Sequence, residues 1–130
     1  MSNAFFDSNI VIYLTSADTA KATKARSLLE AGGTVSVQVL NETVSVLRRK
    51  NRLDWPEVLA VLAAVRDACE IAPLTIQTQD LALETAQRFN FHIYDASILA
   101  AAKLAGCTTV WSEDMQDGQV IDGVTIRNPF

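Results

Sequence analysis

Only two cysteines, Cys69 and Cys107, and a single histidine, His92, occur in the chain. They stand at no zinc-ligand spacing, which argues against a structural zinc site, and two isolated thiols read as reduced packing residues. No apolar run approaches the ~18 residues that would span a membrane. The opening Met1-Ser2-Asn3-Ala4 lacks the apolar stretch of a targeting segment and is compatible with residues left over from cloning, so the expected location is the cytoplasm. Positive charge is also in deficit: 11 Lys and Arg against 15 Asp and Glu give a net charge of −4 and a pI of about 4.8. This excludes a protein that coats nucleic acid by bulk positive charge, but not an enzyme with a local acidic site and a basic rim. Internal repeats and low-complexity linkers are absent.

The chain is 49% apolar and 20% charged, the balance of a folded globular protein, and residues 1–130 suit one domain. Short apolar runs alternate with helical stretches. Ala4-Phe5-Phe6 predicts a strand ending near Asp7, followed by a helical turn. Residues 17–31 predict a helix stopped by Gly32-Gly33, and 34–37 a short strand. Residues 37–50 predict a helix with Ser36 as N-cap. Asp54-Trp55-Pro56-Glu57 is a helix-start signature, with an acid at the cap, Pro in the first turn and Glu three residues after the cap. That helix is expected to run to about Cys69, with a strand-like piece over 71–74. Helices over 80–89 and 94–105 follow, then a strand over 108–111 and a hairpin signal at Asp122-Gly123. Strands alternating with helices predict a mainly parallel sheet covered on both faces, an α/β/α sandwich. In such sheets ligands sit at the carboxyl ends of the strands.

Acids stand at several of those ends. Asp7 follows the first strand, Asp95 opens a helix, and Asp114 follows the strand over 108–111. Glu42 lies inside a helix, on a polar stripe with Gln38, Ser45 and Arg49 that faces either solvent or a cleft. Val37, Leu40, Val44 and Leu47 are expected on another face. Two carboxylates ~5 Å apart repel by about 3 kcal/mol at an effective dielectric of ~20. Four that converge need protons or a cation, and an oxygen-only donor set favours Mg²⁺ or Mn²⁺. Such an ion suits phosphodiester hydrolysis. Taken singly, each acid also has a plainer reading: Asp95 as a helix cap, Glu42 as a solvent-facing residue, Asp114 as a loop residue.

The words around these acids add to that pattern. Phe5-Phe6-Asp7-Ser8-Asn9-Ile10-Val11-Ile12-Tyr13 resembles the opening of PIN-domain ribonucleases. Gln38-Val39-Leu40-Asn41-Glu42, Tyr94-Asp95-Ala96-Ser97 and Ser112-Glu113-Asp114-Met115 resemble the later motifs of that family, in family order. The resemblance runs from about residue 4 onward, and the chain's size and closing segment look like the VapC-type toxin branch. It implies an α/β/α sandwich and a Mg²⁺- or Mn²⁺-dependent endoribonuclease acting on RNA. By position it implies Asp7, Glu42, Asp95 and Asp114 as the acidic set, with Asp7, Asp95 and Asp114 as metal ligands. Glu42 either ligates or orients the attacking water. Asn9 and Ser112 match polar positions that orient the acids; Asp117 either helps hold a second ion or forms a turn. The resemblance further implies a homodimer held inactive by a cognate antitoxin protein, with no membrane partner.

Arg48, Arg49, Lys50 and Arg52 form the densest positive patch, read either as cations favoured at a helix C-terminus or as contacts to RNA phosphates. The helix from Glu57 is unusually apolar at Val58, Leu59, Val61, Leu62 and Val65, more than one core-facing stripe requires. Trp111 and Met115 read as packing residues, and His92 as a loop or helix-entry residue. Three rival readings are an acid-loop phosphatase, a receiver-like signalling domain and a catalytically inactive PIN-like binding module. The first would have a second Asp where Asn9 stands; the second would have an acidic pair by the first strand and a lysine after a late one.

Overall fold

A computed structural model describes residues 3–130. Strand β1 (Ala4–Phe6) leads directly into α1 (Ser8–Ile12), and a single 3₁₀ turn (Tyr13–Thr15) connects to α2 (Thr19–Glu30). There follow β2 (Gly33–Ser36), α3 (Val37–Arg49), α4 (Trp55–Ala68), β3 (Cys69–Ala72), α5 (Ile76–Phe89), α6 (Ile93–Leu104), β4 (Thr109–Trp111), β5 (Val120–Ile121) and β6 (Val124–Arg127). The six strands form one sheet in the order β3-β2-β1-β4-β6-β5. All pairings are parallel except β5 with β6. That edge hairpin turns at Asp122 and Gly123, both at positive φ, as a tight primed turn requires.

Adjacent residues of a strand point to opposite faces, and Phe5 and Phe6 are both fully buried, so helices cover the sheet on both sides. The core joins Phe5, Phe6, Val35, Val110 and Ile126 of the strands to Ile10, Val39, Val65, Ile98 and Leu99 of the helices. Helix α5 packs along α6 through Ala82, Ala96 and Ala100, whose small side chains let the backbones approach. Gly32 takes the left-handed conformation that ends α2 (φ +87°). Gly33 is required by space: a Cβ there would lie 2.6 Å from the Phe6 ring and 2.7 Å from the Ala4 carbonyl oxygen.

The chain winds from β1 to β2 to β3 on one side, then crosses back through α5 and α6 to place β4 on the other side of β1. The carboxyl ends of β1 and β4 therefore flank the point where the winding reverses. This is where a parallel sheet leaves a crevice.

Several boundaries differ from expectation. Helix α5 begins at Ile76, not residue 80, because Thr75 and Thr78 cap each other reciprocally, with threonine doing what Glu or Gln does in the usual capping box. The buried face of α3 is Val39, Thr43 and Leu47; Val37 is exposed. Thr43 is tolerated inside because its hydroxyl donates to the Val39 carbonyl. Ala4, within the opening four residues read as a possible remnant, is part of β1; Met1 and Ser2 lie outside the described residues. Both cysteines are buried free thiols, Met115 is buried, and His92 caps α6 by accepting from the Tyr94 N–H. Among the described residues no helix is long and apolar enough to cross a membrane.

Candidate active site

Asp7 leaves β1 as the N-cap of α1, and its backbone N–H donates to the Trp111 carbonyl (3.0 Å), extending the β1–β4 ladder by one residue. The carboxylate is thus pinned at the sheet's carboxyl edge and is only 5% exposed. Its Oδ1 accepts from the Ser8 N–H (2.7 Å) and its Oδ2 from the Ser112 hydroxyl (2.8 Å). Ser112, fully buried just past β4, also accepts from the Asp114 N–H at 3.2 Å. The Asn9 side-chain amide faces three groups at once: Asp7 Oδ2 (3.4 Å), Ser112 Oγ (3.3 Å) and Asp114 Oδ2 (3.1 Å). Its carbonyl oxygen accepts from the Glu113 N–H at 3.1 Å. Asn9 and Ser112 therefore lock Asp7 and Asp114 into one hydrogen-bonded unit.

Glu42 reaches this unit from α3. Its Oε2 accepts from the Ser8 hydroxyl (3.1 Å) and its Oε1 from Gln38 Nε2 (2.7 Å). Gln38 also donates to the Tyr94 carbonyl (3.1 Å), tying α3 to the first turn of α6, where Asp95 sits. The Gln38 and Glu42 part of the α3 polar stripe consequently faces the site, while Ser45 and Arg49 are exposed. The Asp95 carboxylate has no hydrogen-bond partner among the described residues.

Burial and mutual repulsion register in the proton affinities. Asp7 is pushed up from its ordinary 3.8 to about 6, first by burial; the Ser112 and Ser8 hydrogen bonds oppose this, and the charges of Glu42 and Asp114 add to it. Asp95 is also raised, by burial first, with His92 opposing and Asp114 and Glu42 adding. Four acids from four separate parts of the chain thus share one field. Among the described residues no three acid, histidine or cysteine side chains come within reach of a single ion.

Asp117 takes no part in the field on Asp7 or Asp95. Its Oδ1 accepts from the Asn128 N–H (2.8 Å), tethering the segment after β6. In the basic patch, Arg48 donates to the Leu53 carbonyl (3.0 Å) and stacks 4.6 Å from the Trp55 ring centroid. Arg49, Lys50 and Arg52 are exposed, and Arg49 lies on the Glu42 face of α3, two turns or about 10 Å along the axis.

Sequence reasoning passed over Ser8 as a partner of Glu42, and it did not resolve the direction of Glu113. That glutamate points away from the acids: its carboxylate pairs with Lys21 (2.8 Å) and accepts from the Tyr13 hydroxyl. The Lys21 hydrogen bond, then that of Tyr13, holds its carboxyl below the usual range. The signal for Ser8 was its place beside Asp7; nothing local marked Lys21.

A family model described as the PIN domain matches residues 4–117. A comparison with curated protein sequences returns no match. Among solved structures, the chain superposes on a toxin–antitoxin complex from Klebsiella pneumoniae with a TM-score of 0.72, at 24% identity over 98% of each chain. It superposes on VapC20 of Mycobacterium tuberculosis, described as a sarcin–ricin loop cleaving toxin, with a TM-score of 0.69, at 22% identity over 85% of this chain and 89% of the other. For VapBC2 of Rickettsia felis bound to a fragment of its promoter DNA the TM-score is 0.69, at 14% identity over 96% and 97%. These likenesses establish a shared fold, and with a family model that spans the sheet from β1 through β4 and all four acids, the chain belongs to the PIN domain family.

Proposed function

We propose that this protein is a metal-dependent endoribonuclease, the toxin of a toxin–antitoxin pair, working in the cytoplasm as a homodimer and inhibited by a cognate antitoxin protein. The observation that carries the reaction is the convergence of Asp7, Glu42, Asp95 and Asp114 at the winding reversal, with Asp7 buried among like charges. The biological role rests on the fold neighbours, two of which come from toxin–antitoxin complexes.

The donor set suits a divalent cation. Every candidate ligand is a hard oxygen, and Mg²⁺ is commonly held through one or two carboxylates while keeping several waters, so three acids need not touch one ion. Asp7 and Asp114, joined through Asn9 and Ser112, would hold Mg²⁺ or Mn²⁺, with Asp95 completing the site. The bound ion supplies charge neutralisation at the phosphate and acidifies a water. Glu42, fixed through both oxygens by Ser8 and Gln38, orients the attacking water and takes up its proton. Asp117 is assigned the tether it forms with Asn128 rather than a ligand role.

Purified protein should cut a structured RNA panel with Mg²⁺ or Mn²⁺ and stop with EDTA. Asp95→Asn should fold normally and leave the RNA intact; full activity in that variant removes the proposed site. Arg49, Lys50 and Arg52 are assigned to RNA phosphates, with Arg48 occupied by Trp55 and Leu53. Placed in the inactive Asp95→Asn background, the triple alanine variant should flatten the slope of log Kd for single-stranded RNA against log salt by about 2. An unchanged slope assigns the patch to the helix end alone.

A further inference from the structure

Beside the acids lies a second cluster that the proposed reaction does not use. Lys21 of α2 donates to Glu113 Oε1 (2.8 Å) and to the Tyr13 hydroxyl (3.2 Å). The Tyr13 hydroxyl in turn donates to Glu113 Oε2, so both carboxylate oxygens are engaged. The ammonium lies 4.7 Å from the Tyr13 ring centroid and 5.4 Å from that of Phe130, and those two rings meet edge to face at 4.8 Å. A cation with two hydrogen bonds and two aromatic neighbours is held more firmly than one in an isolated surface ion pair.

Glu113 stands between Ser112 and Asp114, and its backbone N–H is the donor to Asn9 Oδ1. That contact holds the carbonyl end of the Asn9 amide, whose NH₂ faces Asp7, Ser112 and Asp114. The segment is therefore fastened on both sides: inward through Ser112 Oγ and Asn9, outward through the Glu113 side chain to α2. The pairing also neutralises a fifth carboxylate and keeps it turned from the other four.

We infer that Lys21 and Tyr13 form a latch on Glu113, and that Lys21 is a positioning residue: by fixing Glu113 from outside it aims the Asn9 amide and the Asp114 carboxylate inside. This deepens the reading of the acids as a cation site and rests on it for its effect on binding and catalysis. The effect on Asn9 is a property of the cation-free protein and does not depend on that reading.

The test compares wild type, Lys21→Met, Lys21→Arg and, as a control for charge alone, Lys24→Met on the exposed side of α2. Two readouts are made: the Asn9 side-chain amide resonances of cation-free, ¹⁵N-labelled protein, and Mn²⁺ affinity by calorimetry. With the latch as described, Lys21→Met shifts the Asn9 amide pair and speeds its exchange with water. It also raises the Mn²⁺ dissociation constant about tenfold, the scale seen when groups that orient a metal ligand are removed. In RNA cleavage kcat falls while KM is kept. Lys21→Arg, which keeps the charge and the donors, returns most of each change, and Lys24→Met changes none. If Asn9 and the Mn²⁺ affinity are both unmoved in Lys21→Met, the latch is overturned; so it is if Lys24→Met has the same effect. If wild type binds no Mn²⁺ but Asn9 still moves in Lys21→Met alone, the latch stands and the cation site falls.

Discussion

Asp7→Asn should make the cation-free protein more stable while abolishing RNA cleavage. The folded carboxyl titrates near 6 against an ordinary 3.8, so the folded chain holds this proton more tightly than the unfolded one. Stability from this group is present in full below pH ~4, falls as pH rises through the interval, and is lost above ~6. At neutral pH the ionised, buried Asp7 therefore destabilises the fold by up to about 3 kcal/mol. Asparagine removes the charge and keeps an oxygen for the Ser8 N–H, but its NH₂ must face Ser112 and Asn9, which reduces the gain. Thermal melts in EDTA should show a gain of about 1–3 kcal/mol near neutral pH that shrinks towards pH ~4. A variant no more stable than wild type at neutral pH would mean that burial does not strain Asp7. Loss of stability at the centre of function is expected where like charges are assembled for a ligand.

Ser112→Ala should harm the protein in two separable ways. The hydroxyl is the largest influence holding the Asp7 pKa down, so its removal sends that pKa above the present value of about 6. It also accepts from the half-buried Asp114 N–H, which loses its partner, and from Asn9, which keeps Asp7 and Asp114. One unsatisfied group costs about 1–3 kcal/mol, so a lower melting temperature is expected. Cleavage should drop by about 10- to 100-fold at neutral pH, the scale of lost ligand-orienting contacts. Because part of this loss is protonation of Asp7, activity should recover partly as pH is raised, and the acid limb of the kcat/KM profile should lie at higher pH than in wild type. A uniform loss, with the limb unmoved, would mean that Ser112 acts through geometry alone.

Much of this site was legible because its chemistry is local. Asp7, Ser8 and Asn9 are consecutive at a strand end, and a strand that stops at an acid before a helical turn places that acid at the sheet's edge whatever surrounds it. Ser112 and Asp114 follow the same rule at β4. Misreadings arose where the partner of a polar side chain was not foreseen. Of the apolar face of α3 read as Val37, Leu40, Val44 and Leu47, Leu47 is buried and Leu40 packs on the core, but Val37 is exposed; Thr43, whose hydroxyl is satisfied by Val39 one turn earlier, goes inside with Val39 and Leu47. The start of α5 was placed four residues late because a threonine pair replaces the expected acid. The outward turn of Glu113 depends on Lys21, 92 positions away in sequence, and no local pattern carries that.

The central claim, that these acids form a divalent-cation site built around Asp7, is tested most directly by titrating Mn²⁺ into cation-free wild type and Asp7→Asn by calorimetry near neutral pH. Saturable binding in wild type that is lost in Asp7→Asn, while the variant remains folded, is the predicted result. Equal binding by the two proteins, or none by wild type, would contradict it.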